Sequence, residues 1–188
     1  MTAPGGRGVV FLDRDGVINE FPGKGLYVTT QEAFRFLPRA LEAIRLLTAA
    51  DLDLFVISNQ GCVSRGLLSK ADLDRMTERM VEAVRGAGGR LAGVFYCVHQ
   101  TSDACECKKP KTLLFRRAVE GRGLDFSSAY FVGDSREDME AGKALGMKTV
   151  LVLSGRTGEC DAETLGVRPN AVKRDLWEAA QWILEKRS

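Results

Sequence analysis

The sequence has a single histidine, two tryptophans and five prolines. No stretch approaches the roughly 18 apolar residues that read as a membrane span, and the opening MTAPGGR lacks the apolar core of a signal peptide. A cytoplasmic chain with no membrane partner is therefore expected. Charge of neither sign dominates: 27 Lys and Arg face 25 Asp and Glu, for a formal charge of +2, and the basic residues are spread along the chain. No basic stripe points to nucleic acid as a partner. Repeats, low-complexity tracts and dividing linkers are missing as well. What remains is an ordinary globular composition, 45% hydrophobic and 28% charged over 188 residues. That length suits one domain over 1–188, with a flexible N-terminus at 1–7, and a monomer is expected.

Short apolar runs alternate with helical periodicities. GVVFLD (8–13), LDLFVIS (52–58), VFYCV (94–98), AYFVG (129–133) and KTVLVL (148–153) read as buried strands. Between and after them, Leu37 to Leu47, Leu73 to Val84, Thr112 to Val119, Arg136 to Leu145 and Asp175 to Lys186 read as helices. Five strands alternating with helices predict an α/β fold, a doubly wound, Rossmann-like parallel sheet with helices on both faces. Strands apolar throughout agree with a sheet covered on both sides. The connection from Asn19 to Phe36 is long, but too short for a separate cap domain.

Open α/β sheets bind ligands at the carboxyl ends of their strands, and chemistry-bearing residues collect there. The first strand ends in Asp13 and Asp15, separated by Arg14 and followed by Gly16. The second ends in Ser58, Asn59 and Gln60, and the fourth in Asp134, with Asp138 four residues on. Lys108 and Lys109 follow the third. A D-x-D at a strand end is ambiguous alone. Its convergence with further carboxylates, a lysine and short donors suits a divalent cation, and magnesium favours a few carboxylates plus phosphate oxygens. In such a site Asp13 can attack phosphorus. Asp15 can protonate the leaving oxygen and later deprotonate water. Ser58, Asn59 and Lys109 can hold phosphoryl oxygens.

In order and spacing, DRDGVIN, SNQ, KKPK and GDSRED resemble the four signature motifs of the haloacid-dehalogenase-like phosphatases over nearly the whole chain. The resemblance implies Asp13 as nucleophile, Asp15 as acid and base, and Lys109 as the phosphate-neutralising lysine. It also implies magnesium held by Asp13, Asp134 and the Asp15 carbonyl, with Asp138 as a ligand or supporting partner.

Cys97, His99, Cys105 and Cys107 give C-x-H-x5-C-x-C, four ligands in eleven residues that can close a structural zinc site. With no open position, this zinc would fix the loop that delivers Lys108 and Lys109. Cys62 and Cys160 lie outside the cluster and read as unpaired thiols without a role. The zinc loop makes the chain similar to the compact, capless branch of the family, whose substrates include heptose bisphosphates and histidinol phosphate. The segments YVTTQEAFRFLP, SNQGCVSRG and VLVLSGRTG lean toward the heptose side. They imply hydrolysis of the 7-phosphate of D-glycero-D-manno-heptose 1,7-bisphosphate, leaving the 1-phosphate for ADP- or GDP-heptose synthesis. Arg65, with Gln60 and Lys108, then becomes a candidate substrate contact. Lys108 stands where the family usually has arginine, and Thr112, Leu113 and Ser135 also depart from its pattern; these positions bear on sugar and anomer selection. Histidinol phosphate or another small sugar phosphate is the alternative substrate, and a zinc-stabilised binding module the non-catalytic alternative.

Overall fold

The computed structural model describes residues 7–158 and 165–187. Six parallel strands form one sheet: β1 (Val9–Leu12), β2 (Asp53–Asn59), β3 (Gly93–Cys97), β4 (Tyr130–Gly133), β5 (Lys148–Val152) and β6 (Ala171–Lys173), in the order β3-β2-β1-β4-β5-β6. The α-helices among the described residues are α1 (Ala40–Ala49), α2 (Lys70–Gly86), α3 (Leu113–Ala118), α4 (Arg136–Ala144) and α5 (Leu176–Glu185). Among the described residues no helix is long and apolar enough to cross a membrane.

Strand alternation sorts the apolar side chains into two layers. Val10, Leu12, Leu54 and Val56 join Ile44, Leu47, Met80 and Ile183, so α1, α2 and α5 cover that face. Val9, Phe11, Phe55 and Ile57 turn the other way, onto Phe115 of α3 and Ala141 of α4. Phe115 meets Phe11 and Phe131 edge-on, with ring centroids 5.2 and 4.9 Å apart. Because both faces are covered, β1 and β4 carry no charged residue until they end, and the sequence there runs straight from apolar strand into Asp13 and Asp134.

Five strands lie within a residue or so of the expected segments. The sixth, β6, is an addition to the expected sheet: it is three residues long, sits at the edge, and leaves Val172 45% exposed. The strand order reverses between β1 and β4, which opens a crevice where their carboxyl ends diverge. Asp13, just past β1, donates its N–H to the Val132 carbonyl at 2.9 Å and so is tied to β4 at that point. Of the expected N-terminal tail, residues 1–6 lie outside the described residues, as does Cys160, while Arg7 pairs with Asp51 at 2.7 Å.

Candidate active site

A cavity of about 590 Å³ opens at this crevice. Asp13, Asp15, Ser58, Asn59, Arg65, Lys108, Lys109 and Asp134 all reach its wall. Gln60 does not. It is buried, and its side-chain amide donates to Asp15 Oδ2 at 2.8 Å and to Ser58 Oγ at 3.2 Å. The long connection after β1 contributes Phe21, Lys24 and Tyr27, and the segment after β5 contributes Arg156.

Lys109 is 3% exposed, and its ammonium meets three acceptors: Asp13 Oδ1 at 3.0 Å, Asp138 Oδ1 at 2.7 Å and the Ile57 carbonyl at 2.9 Å. Burial opposes its charge, but the Asp13 and Asp138 carboxylates outweigh burial and raise its pKa above the ordinary lysine value. Asn59 grips the same residue by its backbone, accepting from Lys109 N–H at 3.0 Å and donating to its carbonyl at 3.2 Å.

Asp138 spends its second oxygen on the start of α4. Oδ2 accepts from the Ser135 hydroxyl at 2.6 Å and from the N–H groups of Ser135 and Asp134 at 3.1 and 3.2 Å. These are donors that a helix N-terminus otherwise leaves unpaired, so one carboxylate both caps the helix and anchors the lysine.

Asp13, Asp134 and Asp138 each offer an oxygen within 4.8 Å of the others. With all three ionised and the Lys109 ammonium beside them, the carboxylates would carry a net charge of −2. The protein side alone does not neutralise it. Burial pushes the Asp13 carboxyl up to about 6, with the Asp138 and Asp15 charges adding and Lys109 opposing. Asp134 is raised well above the usual carboxylate range by burial and then by Asp13 and Asp138. A divalent cation would supply the missing charge, and hard carboxylate oxygens suit magnesium.

Glycine shapes the Asp134 slot. A Cβ on Gly16, whose φ is +83°, would fall 2.3 Å from Asp134 Oδ2, and one on Gly155 would fall 2.0 Å from the same oxygen. That oxygen accepts from Arg156 N–H at 2.6 Å.

Asp15 belongs to a separate network. Its carboxylate accepts from Arg14 Nε at 3.0 Å and from Arg14 Nη2 at 2.8 and 2.9 Å. Asn19 Nδ2 adds a contact at 2.8 Å. Burial raises the Asp15 pKa, but the Arg14 guanidinium and the amides of Asn19 and Gln60 hold it below the ordinary value. The sequence gives Arg14 no task beyond spacing two aspartates. Its pairing depends on a turn in which the N–H groups of Val17, Ile18 and Asn19 converge on the Arg14 carbonyl, at 3.3, 2.8 and 3.1 Å.

Beside the cavity, Cys97, His99, Cys105 and Cys107 converge. Cys107 Sγ lies 3.2 Å from Cys97 Sγ, 3.5 Å from Cys105 Sγ and 3.2 Å from His99 Nδ1, while Cys97 Sγ lies 3.6 Å from Cys105 Sγ. These separations are too long for a disulfide. They are close to the edge, about 3.8 Å, of a tetrahedron with metal–sulfur bonds of about 2.3 Å. Lys108 and Lys109 follow Cys107 directly, so the cluster adjoins the lysine of the acidic site. Cys62 stands apart, buried, with Sγ 3.7 Å from the Gln60 carbonyl.

Comparison with known proteins agrees with this architecture. Residues 106–179 match the family described as HAD-hydrolase-like. A D-glycero-β-D-manno-heptose-1,7-bisphosphate 7-phosphatase of Pseudomonas aeruginosa is 38% identical over 150 residues, covering 80% of this chain and 83% of that protein. The D-glycero-D-manno-heptose-1,7-bisphosphate 7-phosphatase of Chlorobaculum tepidum is 31% identical over 183 residues and 91% of each chain. A crystal structure of D,D-heptose 1,7-bisphosphate phosphatase from B. bronchiseptica, complexed with magnesium and phosphate, superposes with a TM-score of 0.88 at 30% identity, covering 95% of this chain and 99% of that one. On these likenesses, with the acidic crevice behind them, the chain is a phosphoric monoester hydrolase that belongs to the haloacid-dehalogenase-like phosphatases, in the family of the heptose-1,7-bisphosphate 7-phosphatases.

Proposed function

We propose that this enzyme uses magnesium to remove the 7-phosphate of D-glycero-D-manno-heptose 1,7-bisphosphate through a phosphoryl group carried on Asp13. The observation that carries the reading is the Asp13–Lys109–Asp138 arrangement beside Asp134: a nucleophilic carboxylate held 3.0 Å from a buried ammonium, in a cluster two positive charges short of neutrality. Asp13, Asp134 and the Asp15 carbonyl would hold the magnesium. The ion would supply the charge that lets a carboxylate approach a phosphate.

In the first step an Asp13 oxygen bonds to phosphorus and the bond from phosphorus to the sugar oxygen breaks. The electron pair stays on that oxygen, which takes a proton from Asp15, a carboxyl that Arg14 favours in its ionised form and that the negative charge of the bound phosphate raises to its protonated form. In the second, Asp15 takes a proton from water as the water oxygen bonds to phosphorus, and the Asp13 carboxylate leaves. Lys109 keeps positive charge beside the transferring group throughout, while Ser58 and Asn59 bracket it. Lys109 reaches the site already hydrogen-bonded to three acceptors, so it enters the reaction oriented.

Arg65, Lys108 and Lys24 line the same cavity and outnumber Glu137, the further carboxylate of its lining, and a second phosphate is what such cations suit. This favours a bisphosphate over histidinol phosphate, whose amine and imidazole call for acidic partners. The cysteine–histidine cluster would hold a structural zinc. Its chemistry supports this, since three thiols and an imidazole fill four positions and leave none for substrate. We place the enzyme in the cytoplasm as one 1–188 domain acting as a monomer on a small phosphorylated sugar, without nucleic acid or membrane as partner.

The test is kcat/KM with magnesium for both anomers of heptose 1,7-bisphosphate, for histidinol phosphate and for sugar monophosphates. The bisphosphate should lead by about tenfold or more, the worth of one added charged contact. A histidinol phosphate lead would replace the substrate, and failure to turn over any ester would leave a binding module.

A further inference from the structure

The hydrolytic site explains why Asp13, Asp134 and Lys109 sit where they do, but leaves a costly group without a task. Arg14 is 1% exposed and does not reach the cavity wall, so it is in no position to touch substrate. Burying a guanidinium is costly even when it is paired, and an apolar side chain of similar size often serves stability as well or better. Stability alone is thus a poor reason for a charge here.

Its surroundings fix its direction. The guanidinium carbon lies 5.8 Å from the Phe34 ring centroid and 5.7 Å from that of Tyr96, and Nη1 lies 4.0 Å from Met76 Sδ. The rings come from different parts of the chain: Phe34 from the connection after β1, Tyr96 from β3. Held this way, Arg14 presents Nε and Nη2 to the Asp15 carboxylate, a two-nitrogen grip that also defines the plane of the acceptor. Asn19 and Gln60 pin one oxygen each, both at 2.8 Å. Asp15 keeps a side-chain exposure of 20%, toward the cavity. Proton transfer to a leaving oxygen requires its donor at hydrogen-bond distance in the right orientation.

We infer that Arg14 is a positioning residue for catalysis, fixing the Asp15 carboxyl group at the angle from which it delivers its proton to the leaving sugar oxygen. The inference rests on the phosphatase reading and on Asp15 as its acid. Arg14 acts through Asp15 and meets neither substrate nor metal.

An anchor that merely holds the loop and a group that orients the acid differ in one readout, the dependence on the leaving group. An alkoxide needs a proton as it departs, and p-nitrophenolate does not. The experiment measures kcat/KM, which reports on steps up to P–O cleavage, for heptose 1,7-bisphosphate and p-nitrophenyl phosphate. The proteins are the wild type, Asp15→Asn, Arg14→Met and Arg14→Lys. A positioned general acid contributes about 10²–10⁴-fold. Arg14→Met should therefore lose about a hundredfold or more on the sugar ester and less than about tenfold on the aryl ester, as Asp15→Asn does. Arg14→Lys keeps the charge but not the two-nitrogen grip, and should show the same selectivity to a smaller degree. If Arg14→Met fails to fold, Arg14→Lys reads the same ratio. Equal losses on the two esters by the Arg14 variants, alongside a selective loss in Asp15→Asn, would overturn the inference and leave the phosphatase standing. A wild type inert on both esters would overturn the phosphatase reading and the inference with it.

Discussion

A single methyl group on Gly155 should weaken magnesium binding without replacing a ligand. The Asp134 carboxylate lies in a slot between Gly16 and Gly155 with Oδ2 on the Arg156 N–H at 2.6 Å. A Cβ at 155 would fall 2.0 Å from Oδ2 and 2.6 Å from both Cγ and Cβ of Asp134. Rotating the oxygen away does not relieve the contact with Cβ, and the Gly16 side leaves no room to retreat. The carboxylate must shift and give up its backbone donor. A hydrogen bond to a charged group is worth about 1.5–3 kcal/mol, so Gly155→Ala should bind magnesium roughly ten- to a hundredfold more weakly. Calorimetric titration of the metal-free protein measures this directly, and the magnesium concentration giving half-maximal hydrolysis should rise in parallel. Circular dichroism checks that the sheet is retained. A folded Gly155→Ala protein with wild-type magnesium affinity would refute the reasoning, because Asp134 would then not hold the ion from this slot.

Lys109→Met should abolish turnover and lower stability by about 3–5 kcal/mol in the absence of metal, since it strands Asp13 and Asp138 without their buried partner; denaturant melts with and without magnesium measure it, and magnesium should restore part of the loss. Cys107→Ala should lose bound zinc and about tenfold or more of the activity while far-UV dichroism shows the sheet intact, because the cluster adjoins the lysine loop and not the central strands; metal analysis and assay check it, and global unfolding would show a larger role for the metal. Arg65→Ala should cut kcat/KM about ten- to a hundredfold on the bisphosphate and much less on a monophosphate, as expected for a charged contact to a distal phosphate. Equal effects on both substrates would place Arg65 outside that contact.

The elements best legible in the sequence are those whose signal is local and strong. β1, β2, β4 and β5 are largely apolar runs because helices cover both faces, and polar residues announce where three of them stop: Asp13 after β1, Ser58 and Asn59 at the end of β2, and Asp134 after β4. Asp134 and Asp138 at i and i+4 were readable as a pair, since the strand ends at one and the first turn of α4 carries the other. β6 was not readable: three half-exposed residues at an edge carry no periodicity, and only pairing with β5 makes them a strand. Arg14 failed for a different reason. Neighbours on an extended chain point to opposite sides, so its grip on Asp15 exists only through a turn on its own carbonyl and the distant rings of Phe34 and Tyr96. Gln60 shares that limit. Spacing puts it at a strand end, but whether it faces the cavity or Asp15 is set by packing.

The most direct measurement is of the phosphoryl group itself. Asp15→Asn removes the base of the second step but leaves Asp13 able to attack an ester whose leaving group needs no proton. Mixed with p-nitrophenyl phosphate and magnesium, then quenched and digested, this variant should release one rapid equivalent of p-nitrophenolate and carry a phosphoryl group on the peptide containing Asp13. Release without any such adduct, or an adduct on another residue, would contradict the account.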